Sequence, residues 1–515
     1  MKRRYTYLSL SILALTVFSA CNKDIVEADS AYPALAPAQL DASAKNWQPL
    51  IITSASDFAL PEPASTSSAS YKKEISDLKE ATKNLTAEQT RIINYWKVGS
   101  VLRWNEIMRE LVAKHNLPPY QNPDGTYPIP SAANPFAYPS FPFSNPPYAA
   151  RAYAYVSAAQ YDALISAWYF KDKFKRPAPY KVDGSVNVSV PKSDLPSYPS
   201  EDAVVAGASF EIMKLLFPAD ASYIAQKANE EKKYRLWTGA NVMSDIIAGD
   251  SLGRWVARKI VSRARTDGMG AAVGTPEIWK KLEDDHKAQG LTPWISLELP
   301  KRPPMLPVYG NVKPLLFAPE VTATLRPEAP PTAESPEMKK ELDELMDLTK
   351  SPSRERMRIV NFWADGAGTY TPPGHWNAIA TEEFVTKQYS EVRWARNYAL
   401  LNASLMDAAI VCWNTKYFYF NARPCQLEPS IKTYTGVPNF PAYISGHSTF
   451  SGAAATILSY LVPDKANDFK AMANEASMSR MYGGIHYRSD CQVGLTTGEK
   501  VGDYAVARAK TDGAN

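Results

Sequence analysis

The sequence repeats itself over two long stretches, which limits the folds that are open to it. Residues 150–249 align without a gap with residues 395–494 and share more than twenty identical pairs, where ordinary composition gives roughly six by chance. Upstream, residues 91–96 resemble residues 358–363. Self-similarity on this scale predicts one structural unit that is present twice, in tandem.

The repeated unit is helical. Apolar residues recur at helical spacing in most segments after residue 75, whereas alternating patterns typical of strands are scarce. The sequence therefore predicts an all-α protein of two tandem-duplicated helical bundles with long Pro-rich connecting loops at 117–147 and 296–336. Helices are expected over 86–114, 149–174, 200–216, 222–265, 336–349, 353–364, 392–422, 446–461 and 465–481.

Composition divides the chain into five parts. We expect a signal peptide over 1–20, a flexible tether over 21–75, an N-terminal bundle over 76–270, a Pro-rich crossover over 271–335 and a C-terminal bundle over 336–515. The tether prediction rests on runs rich in Ala, Ser and Pro, such as AYPALAPAQL.

The first residues have the layout of a secretory signal. A cationic start precedes an apolar stretch from Leu8 to Phe18, which is too short to span a membrane. The ending Ser-Ala-Cys at 19–21 resembles a bacterial lipoprotein box, so we expect lipid on Cys21; a plainly cleaved signal is the alternative. The sequence thus predicts an exported lipoprotein that is anchored to the bacterial outer membrane.

The balance of charge disfavours one class of partner. Lys and Arg number 57 against 53 Asp and Glu, and three of the cations lie in the leader at positions 2–4. The mature protein is therefore nearly neutral. It lacks the surplus of cations that neutralises phosphates, so no nucleic-acid partner is expected. The sequence leaves the oligomeric state open.

The two copies differ at positions where chemistry is expected. The first copy lacks both imidazoles of the second and carries two additional acids: Glu201, Asp202 and Asn241 stand where the second copy has Gly446, His447 and His486. Carboxylates repel an anion. We therefore assign any activity to the second bundle and expect the first to be a degenerate scaffold.

One segment of the second copy supplies two cations. Lys416 and Arg423 are seven residues apart, so on one helix their side chains would leave the same face, and Pro424 would end that helix. Trp413 lies three residues before Lys416 and would line the same wall.

A second segment offers backbone donors. Ser445 can cap the helix that follows it, which turns the N–H groups of Gly446 and His447 toward an anion at the helix start. An ordinary helix cap is the plain alternative for this segment.

The third segment adds another cation and a second imidazole. Arg480 is followed by His486 and then by Asp490, whose carboxylate can hold the imidazole in one tautomer. Each segment alone is compatible with solvated helix charges or a structural pair. Their occurrence together, in this order, favours a site.

In this order the three segments resemble a known signature. The patterns K-x6-R-P, S-G-H and S-R-x5-H-x3-D over residues 416–490 are similar to the signature of the type 2 phosphatidic acid phosphatase and vanadium haloperoxidase superfamily. The two-bundle layout, the run FPAYISGHSTF at 440–450 and the run TPPGHWN at 371–377 resemble the haloperoxidase branch. Trp413 and Phe440 fall where that branch has the aromatic side chains of its halide pocket.

The resemblance implies a set of roles. An oxyanion, vanadate as a cofactor or phosphate as part of a substrate, would bind to Lys416, Arg423, Ser445, Gly446 and Arg480. His486 would be the vanadate ligand or the nucleophile, His447 would manage protons, and Asp490 would orient His486. His375 would either support the side chains that line the pocket or only stabilise the loop that contains it.

Three functions follow from these roles. The favoured one is a vanadate-dependent, haloperoxidase-like enzyme that oxidises halide with hydrogen peroxide. The first alternative is an acid phosphatase that acts on phosphomonoesters through a phosphohistidine. The second alternative is a surface lipoprotein that binds an oxyanion without catalysis.

Overall fold

Helices build both halves of the chain. The computed structural model describes residues 32–117, 142–298 and 301–514, and no β-strand forms within them, so the predicted all-α class is confirmed. The signal peptide and Cys21 lie outside the described residues, as does most of the stretch at 117–147. In the described part of the chain, no helix is both long and apolar enough to cross a membrane.

The first half and the crossover contain eight of the longer helices, which are α1 (Ala69–Ala81), α2 (Ala87–Trp96), α3 (Ser100–His115), α4 (Pro146–Phe174), α5 (Glu201–Leu216), α6 (Ala221–Trp237), α7 (Met243–Ala264) and α8 (Pro276–Ala288). Two of the predicted segments, 86–114 and 222–265, are each divided into two helices. Neither α1 nor α8 was expected from the sequence.

The second half contains α9 (Pro336–Lys350), α10 (Arg354–Phe362), α11 (Thr371–Phe384), α12 (Glu391–Tyr419), α13 (Gly446–Leu461), α14 (Ala466–Tyr482) and α15 (Arg488–Thr511). Helix α15 was missed because its buried face is lined by small residues rather than by an apolar stripe. A Cβ atom on Gly498 would lie 2.1 Å from the carbonyl oxygen of Thr449, so only glycine allows α13 and α15 to approach this closely.

The four main helices of the two halves correspond one to one. Helices α4, α5 and α6 recur as α12, α13 and α14 with every terminus shifted by the spacing of the sequence repeat, and α7 recurs as α15. In each half the same neighbours pack together, and α4 packs against α12 between the halves. The repeat thus extends to the backbone, whereas a tandem duplication as its origin stays a prediction.

Two matching clamps hold extended segments across the halves. In the first clamp, the carboxylate of Asp162 on α4 accepts hydrogen bonds of 2.6–2.9 Å from the N–H groups of residues 50–52, while Arg508 on α15 donates to the carbonyl oxygen of Gln48. The first half supplies the carboxylate and the second half supplies the arginine.

The second clamp reverses these contributions. Asp407 on α12 accepts from the N–H groups of Leu315 and Leu316 at 2.8–3.1 Å, and Arg263 on α7 donates to the carbonyl oxygen of Pro314 at 2.6 Å. The crossover is therefore tied to both halves.

The prediction of a flexible tether is wrong for residues 33–75. Trp47 is buried, Asp41 pairs with Arg393 on α12, and residues 48–52 lie in the first clamp. Frequent prolines disfavour long helices, but they do not prevent an extended segment from docking where side chains satisfy its backbone groups.

We expect Asp407→Ala to lower the free energy of unfolding by about 2 kcal/mol, because two backbone N–H groups lose their acceptor in a partly buried place. Urea unfolding followed by tryptophan fluorescence measures the change. Asp284→Ala on the exposed face of α8 is the matched control, since its partner Lys280 is largely solvated. A loss for Asp407→Ala no larger than that of the control would contradict the clamp.

Candidate active site

A cavity of about 250 Å³ is lined by the second half, by the crossover and by Asn116, Ser144 and Pro146 of the first half. Six of the predicted site residues line it, namely Trp413, Phe440, Gly446, His447, Arg480 and His486. The structure buries four others fully, behind the residues that line the cavity, namely Lys416, Arg423, Ser445 and Asp490. The structure thus brings the three sequence segments to one place.

Lys416 and Arg423 do not share a helix, which corrects the sequence prediction. Helix α12 ends at Tyr419, and the next residue, Phe420, has a left-handed backbone with φ 43°. Arg423 comes after this turn and precedes the short helical turn Pro424–Leu427.

Both cations nevertheless hold the same loop. The Lys416 Nζ donates to the carbonyl oxygens of Pro441 and Ala442 at 2.8 and 2.9 Å, and the Arg423 Nε donates to that of Phe440 at 3.0 Å. Because this loop leads directly into Ser445, the cations also position the start of α13.

His486 is held in one tautomer. Its Nδ1 lies 2.8 Å from Asp490 Oδ2, and its Nε2 lies 3.0 Å from Arg423 Nη1. An arginine can only donate, so Nε2 accepts and the ring proton is on Nδ1. Burial, followed by the charges of Arg423 and Lys416, holds the pKa of His486 well below its ordinary value. The imidazole is therefore neutral, with a lone pair on Nε2.

Asp490 is fixed by the helix that it begins. It lies in the first turn of α15, where its Oδ2 also accepts from the backbone N–H of Tyr487 at 3.1 Å. The same oxygen of Asp490 therefore caps the start of α15 and orients the ring of His486.

Two of the buried arginines have unpaired donors. Among the described residues, Arg423 Nη2 and Arg480 Nε are buried without a hydrogen-bond partner. Burial lowers the pKa of both guanidinium groups to about 10 and also lowers that of Lys416. An unpaired buried donor is costly, and an oxyanion in this place would satisfy both arginines. The residues present therefore fit vanadate or phosphate.

The start of α13 adds to this cradle. Ser445 is the N-cap, and its Oγ accepts from the N–H of Ser448 at 3.3 Å. The first N–H groups of a helix have no partner within it, which favours an anion beside Gly446 and His447. The nearest side chain to a Cβ atom built on Gly446 is that of Trp413, at 3.8 Å, so the glycine leaves cavity space open.

Asp365 is a site residue that the sequence analysis missed. It lines the cavity, and its Oδ2 lies 3.7 Å from His447 Nε2, while its Oδ1 lies 3.0 Å from His375 Nδ1. In the alignment of the two copies, Asp365 stands two residues after Trp363 and faces Val98. Extending the comparison of the copies by these two residues would have found it.

His447 also contacts Arg480. The Arg480 Nη1 lies 3.2 Å from His447 Nε2 and donates to the carbonyl oxygen of Trp363 at 2.7 Å. Burial and the charge of Arg480 hold the pKa of His447 well below its ordinary value. His375 does not line the cavity; it stacks on Trp363 at 4.6 Å and contacts the site through Asp365.

Trp413 and Phe440 form the aromatic wall. Their ring centroids are 4.9 Å apart, and the Trp413 Nε1 donates to the carbonyl oxygen of Met305 in the crossover at 3.1 Å. The Lys416 Nζ lies 4.9 Å from the centre of the Phe440 ring. The crossover, predicted as a plain connection, is therefore part of the site.

In the first bundle, a carboxylate of the chain balances the positive charge at the place that corresponds to the cradle. Asp202, which replaces His447, pairs with Arg235 at 3.1 Å and accepts from Ser100 Oγ and Tyr234 Oη at 3.0 and 3.1 Å. A carboxylate of the chain thus stands next to the arginine that corresponds to Arg480. That the first bundle lacks activity stays a prediction.

Comparison with known proteins finds one family model that matches part of the second half. Residues 397–506 match the family model of the PAP2 superfamily, which confirms the predicted superfamily for the segment that contains the cradle. In fold, the chain is similar to a bacterial vanadium-dependent iodoperoxidase, with a TM-score of 0.60 and 22% identity over 79% of this chain and 96% of that protein.

A bacterial vanadium-dependent chloroperoxidase in its apo form aligns with a TM-score of 0.48 and 14% identity over 71% of this chain and 93% of that protein. Among curated proteins, none matches this sequence.

We expect the affinity of the cavity for sulfate to fall as the pH rises through neutrality. Burial lowers the pKa of Lys416, and a bound dianion raises it again, so binding takes up a proton wherever the free lysine is neutral. Sulfate itself does not titrate in this range. Calorimetric titration at several pH values measures the slope.

Lys416→Met should weaken sulfate binding at least about tenfold at acidic pH and should flatten the slope above neutrality. Lys387→Met, which removes a lysine paired with Asp464 on the surface, is the control. If sulfate affinity changes equally with pH in both variants, Lys416 does not take part in binding the anion.

Proposed function

We propose that this chain, which carries a PAP2 superfamily domain over residues 397–506, is a vanadate-dependent haloperoxidase-like enzyme that oxidises halide with hydrogen peroxide. The observation that carries the proposal is the environment of His486 Nε2. This atom carries no proton, its lone pair accepts from Arg423 Nη1, and it lies among three buried cations, two of which have unpaired donors.

Each residue of the cradle would make a different contact with vanadate. His486 would be the one protein ligand, Lys416, Arg423 and Arg480 would neutralise the negative oxygens, and Ser445 with Gly446 would add donors at the helix start. The chemistry supplied by such a group is activation of hydrogen peroxide for the two-electron oxidation of a halide. The bacterial iodoperoxidase of similar fold is vanadium-dependent, which supports the same use here.

His447 would manage protons in the cavity. Its neutral ring can accept a proton at Nε2, the atom that faces Asp365 Oδ2 at 3.7 Å. The carboxylate of Asp365 would stabilise the resulting imidazolium, and His375 would hold that carboxylate from the other side. Trp413 and Phe440 would shield the halide from water.

A phosphomonoesterase is the second candidate, and the match to the PAP2 superfamily favours it. His486 Nε2 would attack phosphorus as the bond to the ester oxygen breaks, and a protonated His447 would give its proton to the leaving alkoxide. Water, losing a proton to His447, would then release phosphate from the phosphohistidine. The same cradle serves both reactions, because phosphate and vanadate are both tetrahedral oxyanions.

Export and lipidation at Cys21 belong to the proposal as well. They rest on the leader sequence alone, outside the described residues. The alternative from another class of protein is a non-catalytic lipoprotein that binds an oxyanion. The cradle is compatible with this alternative, but it assigns no role to His447 or Asp365.

We expect protein loaded with vanadate to oxidise iodide or bromide in the presence of peroxide, and His486→Ala to lower that rate by about 10²-fold or more. Turnover of an aryl phosphate by vanadate-free protein tests the second candidate in parallel. His286→Gln, which changes a buried histidine outside the cavity, is the control. If the unaltered protein has neither activity, the non-catalytic alternative is correct, and an activity that His486→Ala leaves unchanged would contradict the role proposed for His486.

Asp365→Asn should move the acid limb of the pH–rate profile for halide oxidation to lower pH, because His447 accepts a proton in that reaction and loss of the negative neighbour lowers its pKa further. His375→Gln should shift the limb in the opposite direction by a smaller amount, because His375 itself lowers the pKa of His447 and its loss also frees the carboxylate of Asp365. Asp464→Asn on the surface is the control. Profiles that coincide for all three variants would show that Asp365 has no influence on the proton of His447.

A further inference from the structure

The loop that contains Asp365 is held from the first half of the chain. This loop, which we call the Asp365 loop, comprises residues 364–370 between α10 and α11. Asn116 Nδ2 donates to the carbonyl oxygens of Gly366 and Thr369 at 2.8 and 2.9 Å. A side chain of the first half thus binds the loop at two points.

Asn116 is itself fixed in place. It directly follows the last turn of α3, is 5% exposed and lines the cavity. Its carbonyl oxygen accepts from the N–H of Gly368 at 2.6 Å, which is a third hydrogen bond to the Asp365 loop. The end of α3 is anchored by Asp220, whose carboxylate lies 2.6 Å from Lys114 Nζ and 2.5 Å from His115 Nε2. The loop is therefore attached to a helix end that the first half holds.

The Asp365 loop needs this support because its backbone is strained at both ends. Asp365 and Thr371, the first residue of α11, have left-handed φ angles of 46° and 67°, although neither is a glycine. Such angles are rare, above all for a β-branched residue, and they persist only where the surroundings impose them. The hydrogen bonds of Asn116 lie between these two positions and oppose the release of the strain.

The conformation of the loop determines where the carboxylate of Asp365 lies. Its Oδ1 is 3.0 Å from His375 Nδ1, and its Oδ2 is 3.7 Å from His447 Nε2. Burial lowers the pKa of Arg480 to about 10, and the charge of Asp365 opposes this effect. A displaced loop would therefore change the electrostatic environment of both His447 and Arg480.

The first half has no loop of this length at the matching place. Seven residues separate Trp96 from Trp104, whereas twelve residues separate Trp363 from Trp376. The additional residues lengthen the Asp365 loop. The half that contains the two imidazoles thus has the longer loop, and the other half supplies Asn116 to hold it.

We propose that Asn116 is a positioning residue of the active site, which holds the Asp365 loop so that the carboxylate of Asp365 stays between His447 and His375. The inference rests on the proposed haloperoxidase function, because that function gives the carboxylate its role in stabilising a proton on His447 Nε2. It assigns the first half, expected from the sequence to be only a scaffold, an influence on that proton.

Sulfate binding to vanadate-free protein tests the inference without turnover. Asp365→Asn should tighten binding about threefold or more, because a negative charge near Arg480 is lost. Asn116→Ala should change the affinity in the same direction by a smaller amount, since the released loop no longer keeps the carboxylate in this place. Added to Asp365→Asn, it should have no further effect, because the charge that Asn116 positions is already absent. Calorimetric titration of the four proteins gives the affinities.

Asn474→Ala is the matched control, since Asn474 Nδ2 donates to the carbonyl oxygen of Lys470 on the exposed face of α14. It should leave the affinity for sulfate unchanged. An effect of Asn116→Ala that is equally large with and without the carboxylate of Asp365, or no effect at all, would overturn the inference. If Asn116→Ala does not fold, Asn116→Ser, which keeps one donor, takes its place in the same comparison.

The pH–rate profile of iodide oxidation separates the inference from the proposed function. Asn116→Ala should move the acid limb to lower pH, as Asp365→Asn does, and should move it no further when the two are combined. A lower maximal rate with an unmoved limb would indicate a structural role alone and refute the positioning of Asp365. Protein that shows the coupling in sulfate binding but oxidises no halide would refute the proposed function and retain the role of Asn116.

Discussion

Three cationic side chains are buried together in the second bundle with too few carboxylates to balance them, and the site depends on this imbalance. Lys416, Arg423 and Arg480 have at most 2% of their surface exposed. Their pKa values are lowered, because burial penalises charge and the backbone carbonyls that they hold offer only partial compensation. A buried cluster of this kind is most stable with an anion inside it. The neutral His486 and the helix start at Gly446 then meet that anion with a lone pair and backbone donors.

The first bundle shows the same scaffold with the imbalance removed. Its helices match those of the second bundle, and Lys171 donates to the carbonyl oxygen of Pro196 as Lys416 does to that of Pro441. There, however, Asp202 supplies a negative charge from within the chain. The comparison separates what the fold requires from what an oxyanion site requires. The lysine contact to the loop serves the fold in both halves, whereas the two imidazoles and the open glycine occur only in the half where the buried cations outnumber the nearby carboxylates.

The sequence predicted those parts that depend on local pattern. The bounds of α13 agree with the structure because Ser445 is a good cap and an apolar run follows it. The cradle residues were predicted because their types and order form a signature. The prediction failed where tertiary contacts determine the helix ends and the packing faces. Helix α12 ends before Arg423 because the chain turns back at Phe420. The packing face of α15 is formed largely by glycines, which leave no apolar stripe in the sequence. Asp365 was missed because the comparison of the copies stopped at Trp363, and a single carboxylate in a loop stands out only by the contrast with Val98 in the first copy.

The second clamp gives the first bundle a share in the site. Arg263 on α7 and Asp407 on α12 hold the crossover between them, and the same crossover supplies Arg302 and Met305 to the cavity. The first half of the protein thus helps to position one wall of a cavity in the other half. Substitutions that loosen the first half would therefore change the cavity of the second half even where no cradle residue is altered.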